Sequence, residues 1–275
     1  MTLYVVATPI GNLQDITARA IEVLRGVDVI VAEDTRHTRG LLTHFDIHKP
    51  LLSLPAFDEK ARIGPIVARL AAGETMALVT DAGTPAVSDP GSALVEGAWE
   101  AGVKVIPVPG PSAGLAALSA SGLDTARFFF AGFLPRKGEA RREAIDRLLR
   151  LGETFVLFEA GNRLAETLED LSTTFGARRG LVAREITKLH EELARGPLPV
   201  LARQFADGAR GEVVVVVEGG PPPVETTPVP IDDAIRARLA TGERVKEIAA
   251  ALADVYGLPR QQVYARVLLL RGGEE

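Results

Sequence analysis

The sequence predicts an α/β protein with two α/β domains and a small helical C-terminal extension. In the first half, short runs of β-branched residues alternate with segments of helical periodicity. The runs are almost continuously apolar, as in a parallel sheet that is buried on both faces. A second block of strand and helix patterns follows, and the stretch GGPPPVETTPVP at 219–230 separates it from a helical tail. We therefore expect domains over residues 1–116, 117–222 and 223–275.

The first domain contains strand and helix patterns in regular alternation. The strand patterns are apolar, β-branched runs, and they span residues 3–8, 27–33, 75–80 and 103–108. The first helix, DITARAIEVLRG, has apolar residues at helical spacing, with Asp15 as its predicted N-cap and Gly26 behind it. The helical patterns span residues 15–26, 36–45, 62–74, 92–102 and 112–122. This alternation predicts a mainly parallel sheet.

The second domain repeats these signals, and we expect a second α/β sheet with a larger share of antiparallel pairing. Its strand patterns span 127–134, 153–160, 180–187 and 211–219, and its helical patterns lie at about 139–150, 163–175 and 197–207.

The tail is predicted to be helical from Ile231 onward. Residues 243–271 have the helix, glycine-bearing turn and helix of a helix-turn-helix motif. The second helix of such a motif usually makes the nucleic-acid contacts, and here its polar residues are Arg260, Gln261, Gln262 and Arg266. An accessory RNA contact and a simple packing module both remain open.

Composition and charge limit the classes of function. The net charge of −5 argues against general electrostatic capture of nucleic acid. There is no cysteine, which excludes disulfides and thiolate chemistry. The longest aliphatic run, VVVVV at 213–217, is far shorter than the roughly 20 residues of a membrane span, and the N-terminal MTLYVVATPIGN shows no secretory pattern. We expect a cytoplasmic protein without membrane association.

Unusual loops follow the strands of the first domain. They are TPIGNL (8–13), EDTRHTR (33–39), DAGTPAVSDPG (81–91) and PGPSA (109–113). In an open parallel sheet the carboxyl ends of the strands line up on one edge, and ligands bind there. We therefore expect Pro9, Asp34, Asp81 and Ser112 to converge on one cleft.

The long loop at 81–91 indicates the charge of the ligand. The chain has no Walker motif, and no GxGxxG follows its first strand. The loop contains no Lys or Arg but does contain Asp81 and Asp89, which would repel a polyphosphate. Asp81 can accept hydrogen bonds from hydroxyls or an ammonium group, and the bare backbone at Ala82 and Gly83 permits close approach. S-adenosylmethionine, with a sulfonium, an α-amino group, a ribose and a purine, matches these properties.

A set of motifs in fixed order resembles the tetrapyrrole methylase superfamily. The motifs are TPIGNL, AEDTRHT, DAGTPAVSDPG, PGPSA, FFFAGFLPRKG, REITKLHEE and GEVVVVVEG, between about residues 3 and 219. Within the superfamily, the chain closely resembles the bacterial enzymes that 2′-O-methylate a cytidine ribose of small-subunit (16S) ribosomal RNA. The resemblance implies two α/β domains with S-adenosylmethionine in the cleft between them, and a homodimer. We expect the substrate to be small-subunit ribosomal RNA within an assembled particle.

The resemblance also implies the residues that contact the cofactor. In the first domain these are Pro9, Asp81, Ala82, Gly83, Val87, Ser112 and Ala113. The second domain would add Phe158 and Leu189, where the motifs are less distinctive.

Methyl transfer to a ribose hydroxyl needs the nucleophile, carbon and sulfur in line, and a base or cation near the hydroxyl oxygen. The candidates at the cleft are Glu33, Asp34 and Arg36 in AEDTR and Glu185 and Lys188 in REITK. A neutral Lys188 could accept the proton, or a cationic Lys188 could stabilise the developing alkoxide. Alternatively, Glu185 and Lys188 form an ion pair across the domains and Asp34 caps the next helix. We expect Lys188 and Asp34 to be needed for activity.

Other features bear on the substrate. Arg141, Arg142 and Arg147, in the segment 136–150, could present a helix face to phosphates, or the helix could be simply solvated with i,i+4 pairs. The EDTRHT loop and this helix favour RNA over two rival functions. The rivals are a methyltransferase of the same scaffold acting on a tetrapyrrole or a protein side chain, and a non-enzymatic DNA-binding regulator that uses the helical tail.

Metal catalysis is not expected. His37, His44 and His48 have suggestive spacing, but FDIHKP interrupts any helix between them and no carboxylate trio is near.

Overall fold

A computed structural model of the chain describes residues 1–220 and 230–271. The chain forms two compact units, Met1–Pro222 and Pro223–Glu275. Most of the proline linker predicted at 219–230 lies outside the described residues. The tail is therefore treated below by itself.

The first sheet consists of parallel strands only, which confirms the predicted mainly parallel sheet. Its strands are β1 (Thr2–Val6), β2 (Val29–Ala32), β3 (Leu51–Ser53), β4 (Thr75–Val79) and β5 (Lys104–Val108). They are arranged in the order β3-β2-β4-β1-β5. Strand β3 was not predicted, because three residues at the edge of the sheet are too short to show a pattern.

Helices cover both faces of this sheet. They are α1 (Ala18–Gly26), α2 (Thr35–His44), α3 (Glu59–Ala71) and α4 (Ser92–Glu100). Leu24 of α1 and Leu42 of α2 pack with Ile30 on one face. Leu70 of α3 and Leu94 of α4 pack with alternate residues of the same strands on the other face. The strands are therefore buried on both sides, as their continuous apolar runs predict.

The start of α1 differs from the prediction. Thr17, not Asp15, is the N-cap, since its side-chain oxygen accepts a hydrogen bond from the Ala20 N–H at 3.1 Å. Asp15 belongs to a separate single turn, Leu13–Asp15, which Asn12 caps. The extended backbone of Ile16 separates the two, so the helix begins three residues later than the periodicity suggests.

The second sheet is mixed, with one parallel pair and three antiparallel pairs. Its strands are β6 (Phe128–Phe133), β7 (Thr154–Ala160), β8 (Arg179–Arg184), β9 (Glu192–Pro197) and β10 (Glu212–Val217), in the order β6-β7-β10-β8-β9. The expected larger share of antiparallel pairing is confirmed. The unpredicted strand β9, ELARGP, lies at the sheet edge, where charged residues replace the apolar run.

Helices also cover both faces of the second sheet. On one face lie α6 (Glu139–Leu151), α7 (Leu164–Phe175) and α8 (Leu198–Gln204). The other face carries α5 (Ala113–Ser121), whose Ala117 and Leu118 pack against β7, β8 and β10. The boundary predicted at residue 116 falls inside α5, and the division of residues 1–222 into two domains stays a prediction.

The tail is a helical unit with its own apolar core. It contains α9 (Ile231–Ala240), α10 (Val245–Tyr256) and α11 (Arg260–Arg271). Ile235, Ile248 and Val263, one from each helix, are fully buried together. Arg266 pairs with Asp232 at 2.6 Å within the tail, so its charge is already matched, whereas Arg260 is exposed. The nucleic-acid role of the tail stays a prediction.

The longest helices among residues 1–220 and 230–271, α3 and α6, have 13 residues each. None of the described helices combines the length and apolarity needed to cross a membrane.

Candidate functional site

A cavity of about 420 Å³ lies between the carboxyl edge of the first sheet and the second sheet. All four predicted loops reach it. The first two loops contribute Ile10 and Glu33, and the last contributes Ser112 with Ala113. The long loop contributes Asp81, Ala82, Gly83, Thr84, Val87, Ser88 and Asp89. The loops therefore meet at one place, as the parallel topology requires.

The second half supplies the opposite wall of the cavity. Its lining residues are Phe133, Phe158, Glu159, Ala160, Ala183, Ile186, Gly211, Glu212, Val213 and Val214. The sequence-based prediction included only Phe158 of this set. The others lie on or just beyond β6, β7, β8 and β10, and only a known sheet order brings those strand positions together.

Most of the predicted cofactor residues line the cavity, and two do not. Asp81, Ala82, Gly83, Val87, Ser112, Ala113 and Phe158 are part of its wall. Pro9 is buried beside the lining residue Ile10 and is not itself part of the wall. Leu189 is 92% exposed and lies outside the lining, because the loop after β8 has turned away from the cavity by that point. Ile186 of the same loop takes the place expected for Leu189.

Gly83 anchors the long loop to the first loop. Its N–H donates to the Thr8 carbonyl at 3.1 Å, and its own carbonyl accepts from the Thr8 N–H at 2.9 Å. With φ at +88°, Gly83 has a backbone conformation that side chains disfavour, and a Cβ there would lie 3.4 Å from Ile10. This two-way contact fixes the bare backbone of the long loop at the cavity wall.

Non-glycine residues in left-handed conformations concentrate in two loops beside the cavity. In the long loop they are Ala86 and Ser88, both with φ of 65°. In the loop after β8 they are Glu185 (φ 51°) and Thr187 (φ 67°). Such conformations cost about 1–3 kcal/mol each and persist where surrounding contacts hold them, often at ligand sites.

The titratable side chains among the described residues that line the cavity are all acidic. They are Glu33, Asp81, Asp89, Glu159 and Glu212. Glu159 is paired with Arg163 at 3.3 Å, behind the wall. Glu212 is paired with Lys188 at 2.9 Å. Glu33 and Asp81 have no such partner among the described residues, and they favour a ligand that carries positive charge.

Asp89 and Glu33 approach one hydroxyl. The Thr80 Oγ1 lies 2.8 Å from the Glu33 Oε2 and 2.8 Å from the Asp89 Oδ2. Burial raises the pKa of Asp89, and the charges of Glu33 and Asp81 add to that effect against the lowering by the Thr80 hydrogen bond. Thr80 was not predicted as a site residue, although its position directly after β4 is a signal that could have identified it.

Asp34 and Arg36 have a structural role. Asp34 is the N-cap of α2, where its Oδ1 accepts from the Arg36 N–H at 2.8 Å. The Arg36 guanidinium, on a side chain that is 90% exposed, pairs with the same carboxylate at 2.7 Å. The capping alternative for Asp34 is therefore confirmed. Hydrogen bonds from the Arg36 side chain and backbone lower the pKa of Asp34 to about 2.

We expect the Asp34 cap to contribute stability that depends on pH. The folded pKa of about 2 lies below the ordinary aspartate pKa of 3.8, so the contribution is present above pH 4 and is lost as the pH falls towards 2. Unfolding midpoints of wild type and Asp34→Ala between pH 2 and pH 7 measure this. The difference between the two proteins should shrink below pH 4, and a difference that stays constant down to pH 2 would contradict the assignment.

Lys188 and Glu185 form an ion pair, but not across the two halves. The Lys188 Nζ lies 3.0 Å from the Glu185 Oε1 and 2.9 Å from the Glu212 Oε2, and all three residues belong to the second half. The prediction of a pair between domains was wrong because both residues are in the same loop after β8. Beside this pair the loop after β8 lies against the first loop, because a Cβ on Gly11 would collide with the Lys188 stem and with the Thr187 hydroxyl.

The charges of this ion pair are well defined. Burial alone would lower the pKa of Lys188, but hydrogen bonds from its Nζ to Glu212 and Glu185 outweigh burial and raise that pKa. Hydrogen bonds from the Glu212 backbone and from Lys188 lower the pKa of Glu185. This arrangement favours a cationic Lys188 over a neutral one that accepts a proton.

One of the three arginines predicted to form an exposed face of α6 is buried. Arg141 is buried, and its guanidinium donates to Asp170 at 2.7 Å, to the Thr167 hydroxyl at 2.9 Å and to the Pro135 carbonyl at 3.1 Å. Arg142 and Arg147 are exposed. Of the three predicted arginines, Arg142 and Arg147 are therefore the two that can meet phosphates.

Within residues 1–220 and 230–271, His, Asp and Glu side chains form no group of three or more that could hold a metal ion.

Comparison with known proteins gives a consistent result. The model of the tetrapyrrole (corrin/porphyrin) methylases matches residues 2–202. The ribosomal RNA small subunit methyltransferase I of Xylella fastidiosa (strain Temecula1) is 46% identical over 96% of this chain and 97% of that protein. The protein of the same name from Synechocystis is 45% identical over 95% of both chains. The one from Escherichia coli O157:H7 is 42% identical over 98% of this chain and 96% of that protein.

Solved structures share the fold at lower identity. Diphthine synthase superposes with a TM-score of 0.62 at 20% identity, covering 79% of this chain and 90% of that chain. The uroporphyrin-III C-methyltransferase of Thermus thermophilus, solved with S-adenosylhomocysteine, superposes with a TM-score of 0.58 at 18% identity, covering 79% and 97%. The chain therefore belongs to the tetrapyrrole (corrin/porphyrin) methylase family and, within it, to the group of the ribosomal RNA small subunit methyltransferase I proteins.

Proposed function

We propose that this protein transfers a methyl group from S-adenosylmethionine to the ribose 2′-hydroxyl of a cytidine in 16S ribosomal RNA. The observation that carries the proposal is the acidic cavity at which the four loops meet. Relatives that are 42–46% identical over almost the whole chain, and whose name specifies the small-subunit RNA, supply the substrate class.

The residues of the cavity fit this cofactor. A volume of about 420 Å³ is within the usual range for small-molecule sites. The carboxylate of Asp81 suits an ammonium or ribose hydroxyls, and Gly83 lets a flat ring approach the backbone. Ser112 and Ala113 begin α5, whose amino end favours a carboxylate. Phe158 adds an apolar wall opposite the long loop.

When bound, the cofactor supplies a methyl group on a cationic sulfur, and the chemistry is an in-line displacement at that carbon. The protein must hold the 2′-hydroxyl in line, which contributes about 7–11 kcal/mol in favourable cases. Glu33 lines the cavity and is the proton acceptor that we propose. Cationic Lys188 compensates the Glu212 carboxylate at the rim and can stabilise the developing alkoxide. We propose Lys188 and Asp34 as necessary for activity, Asp34 through the position of α2.

The substrate is proposed to be the assembled small subunit, and the enzyme a cytoplasmic homodimer. A chain of net charge −5 gains little from general attraction to RNA, so recognition by shape and by local basic residues fits it better. Exposed Arg142 and Arg147 on α6 supply such local charge.

The test is a transfer assay with tritiated S-adenosylmethionine and small subunits purified from cells that lack this gene. Nuclease digestion and nucleoside analysis should place the label in 2′-O-methylcytidine. Naked 16S RNA, assayed in parallel, should be labelled much more slowly. Label that never enters RNA would contradict the proposal and favour the tetrapyrrole, protein or regulatory alternatives.

A further inference from the structure

The hydroxyl of Thr80 faces two carboxyl groups and has one hydrogen for both contacts. Thr80 is buried, and its Oγ1 is at 2.8 Å from both the Glu33 Oε2 and the Asp89 Oδ2. A hydroxyl has one hydrogen to donate, and an ionised carboxylate can only accept. Two ionised carboxylates would leave one short contact between acceptor oxygens without a hydrogen.

Of the two acids, Asp89 has the surroundings that favour a proton. Asp89 is partly buried, and burial together with the nearby charges of Glu33 and Asp81 raises its pKa. Asp81 is itself engaged, since it accepts a hydrogen bond from the Asp34 N–H at 3.3 Å. The Thr80 backbone is fixed independently, because its carbonyl accepts from the Thr8 hydroxyl at 3.0 Å.

We propose that protonated Asp89 donates to the Thr80 hydroxyl, which donates to Glu33, so that Asp89 and Thr80 are positioning residues that orient Glu33 as the catalytic base. This inference rests on the proposed function. Thr80 occupies the Oε2 of Glu33 and leaves Oε1 free of this contact, so that Oε1 is the oxygen that would accept the proton. Asp89 is the donor at one end of this hydrogen-bond chain, and Glu33 is the acceptor at the other end.

The transfer step is balanced within this arrangement. The 2′-oxygen forms a bond to the methyl carbon while the carbon–sulfur bond breaks, and its electron pair stays on sulfur, which becomes neutral. The 2′-hydroxyl proton moves to Glu33 and is then released to solvent. Asp89 keeps its own proton throughout.

Amide substitutions distinguish the two acids. An amide can donate through its N–H, so asparagine can replace protonated Asp89, but glutamine cannot replace Glu33 as a base. We expect Asp89→Ala to lower kcat at least about ten-fold and Asp89→Asn to recover most of that loss. Glu33→Ala and Glu33→Gln should both lower kcat about 10²- to 10⁴-fold, the usual contribution of a general base. Calorimetry should find cofactor affinity in Asp89→Asn within about three-fold of wild type, because a neutral group replaces a neutral one.

Substitutions of Thr80 test the link between the acids. Thr80→Val removes the hydroxyl at nearly constant shape and should lower kcat at least about ten-fold, as Asp89→Ala should. Thr80→Ser keeps a hydroxyl and should have a kcat close to that of wild type. Loss in both variants would indicate a packing role and overturn the chain. An Asp89→Asn protein as inactive as Glu33→Gln would equally overturn it.

A spectroscopic arm separates this inference from the proposed function. Infrared spectra of the free protein should show a protonated carboxyl band that is lost in Asp89→Asn and retained in Asp207→Asn, an exposed aspartate that does not line the cavity. If the wild-type protein shows this band but cannot methylate RNA, the proposed function is contradicted, while the assignment of a proton to Asp89 stands. An active wild type whose carboxyl band survives in Asp89→Asn contradicts the inference alone.

Discussion

Replacing Asp81 with asparagine should weaken the binding of S-adenosylmethionine about 10- to 100-fold. A hydrogen bond to a charged group contributes about 1.5–3 kcal/mol, and each 1.4 kcal/mol is a factor of ten in affinity. Asp81 lines the cavity and carries no cationic partner among the ion pairs of the described residues, so its charge is available to the cofactor. Isothermal titration calorimetry measures the change, with the exposed Asp207→Asn as a matched control.

The fold should survive this substitution. The oxygen of asparagine can still accept from the Asp34 N–H, the contact that Asp81 makes with the neighbouring loop. An unchanged dissociation constant in Asp81→Asn, with Asp207→Asn also unchanged, would show that the cofactor does not bind at the carboxyl edge of the first sheet.

Arg141→Met should lower the free energy of unfolding by about 1–3 kcal/mol. That is the cost of leaving a buried polar group without its hydrogen-bond partner, and the Asp170 carboxylate, which is 40% exposed, is still reached by water. The Arg141 side chain is 5% exposed, and Asp170, Thr167 and the Pro135 carbonyl all depend on it. Urea denaturation followed by circular dichroism gives the change.

The adjacent Arg142→Met is the control for this variant. Arg142 is exposed on the same helix, and surface substitutions usually change stability by no more than about 0.5 kcal/mol. Arg142→Met should instead slow methylation of small subunits if α6 contacts phosphates. Equal unfolding midpoints for the two variants would contradict the buried role of Arg141.

The position of the site was predictable from the sequence. Short apolar runs identify the parallel strands, and topology alone then brings Ile10, Glu33, Asp81 and Ser112 to one edge. The burial of Arg141 was also predictable, because Arg141, Ile145 and Leu148 follow helical spacing on one buried face of α6. The spacing of the arginines suggested an exposed face of α6, but the spacing of its apolar residues determines which face packs against the second sheet.

The opposite wall of the cavity could not be predicted in the same way. It depends on the order β6-β7-β10-β8-β9, in which strands distant in sequence are neighbours. The pairing of Thr80 with Glu33 and Asp89 depends on side-chain positions to within a fraction of an ångström, which no spacing rule provides. Lys188 and Glu185 lie three residues apart in one loop, and that separation alone could have indicated a local ion pair.

The placement of α5 limits how the cavity can open. The chain passes from β5 through Ser112 at the cavity wall directly into α5, and α5 is seated on the second sheet through buried Ala117 and Leu118. If the two sheets moved apart in a hinge motion, α5 would have to separate from the apolar face of the second sheet, or residues 109–113 would have to move away from the ligand. Cofactor exchange is therefore expected to leave the distance between the two sheets unchanged.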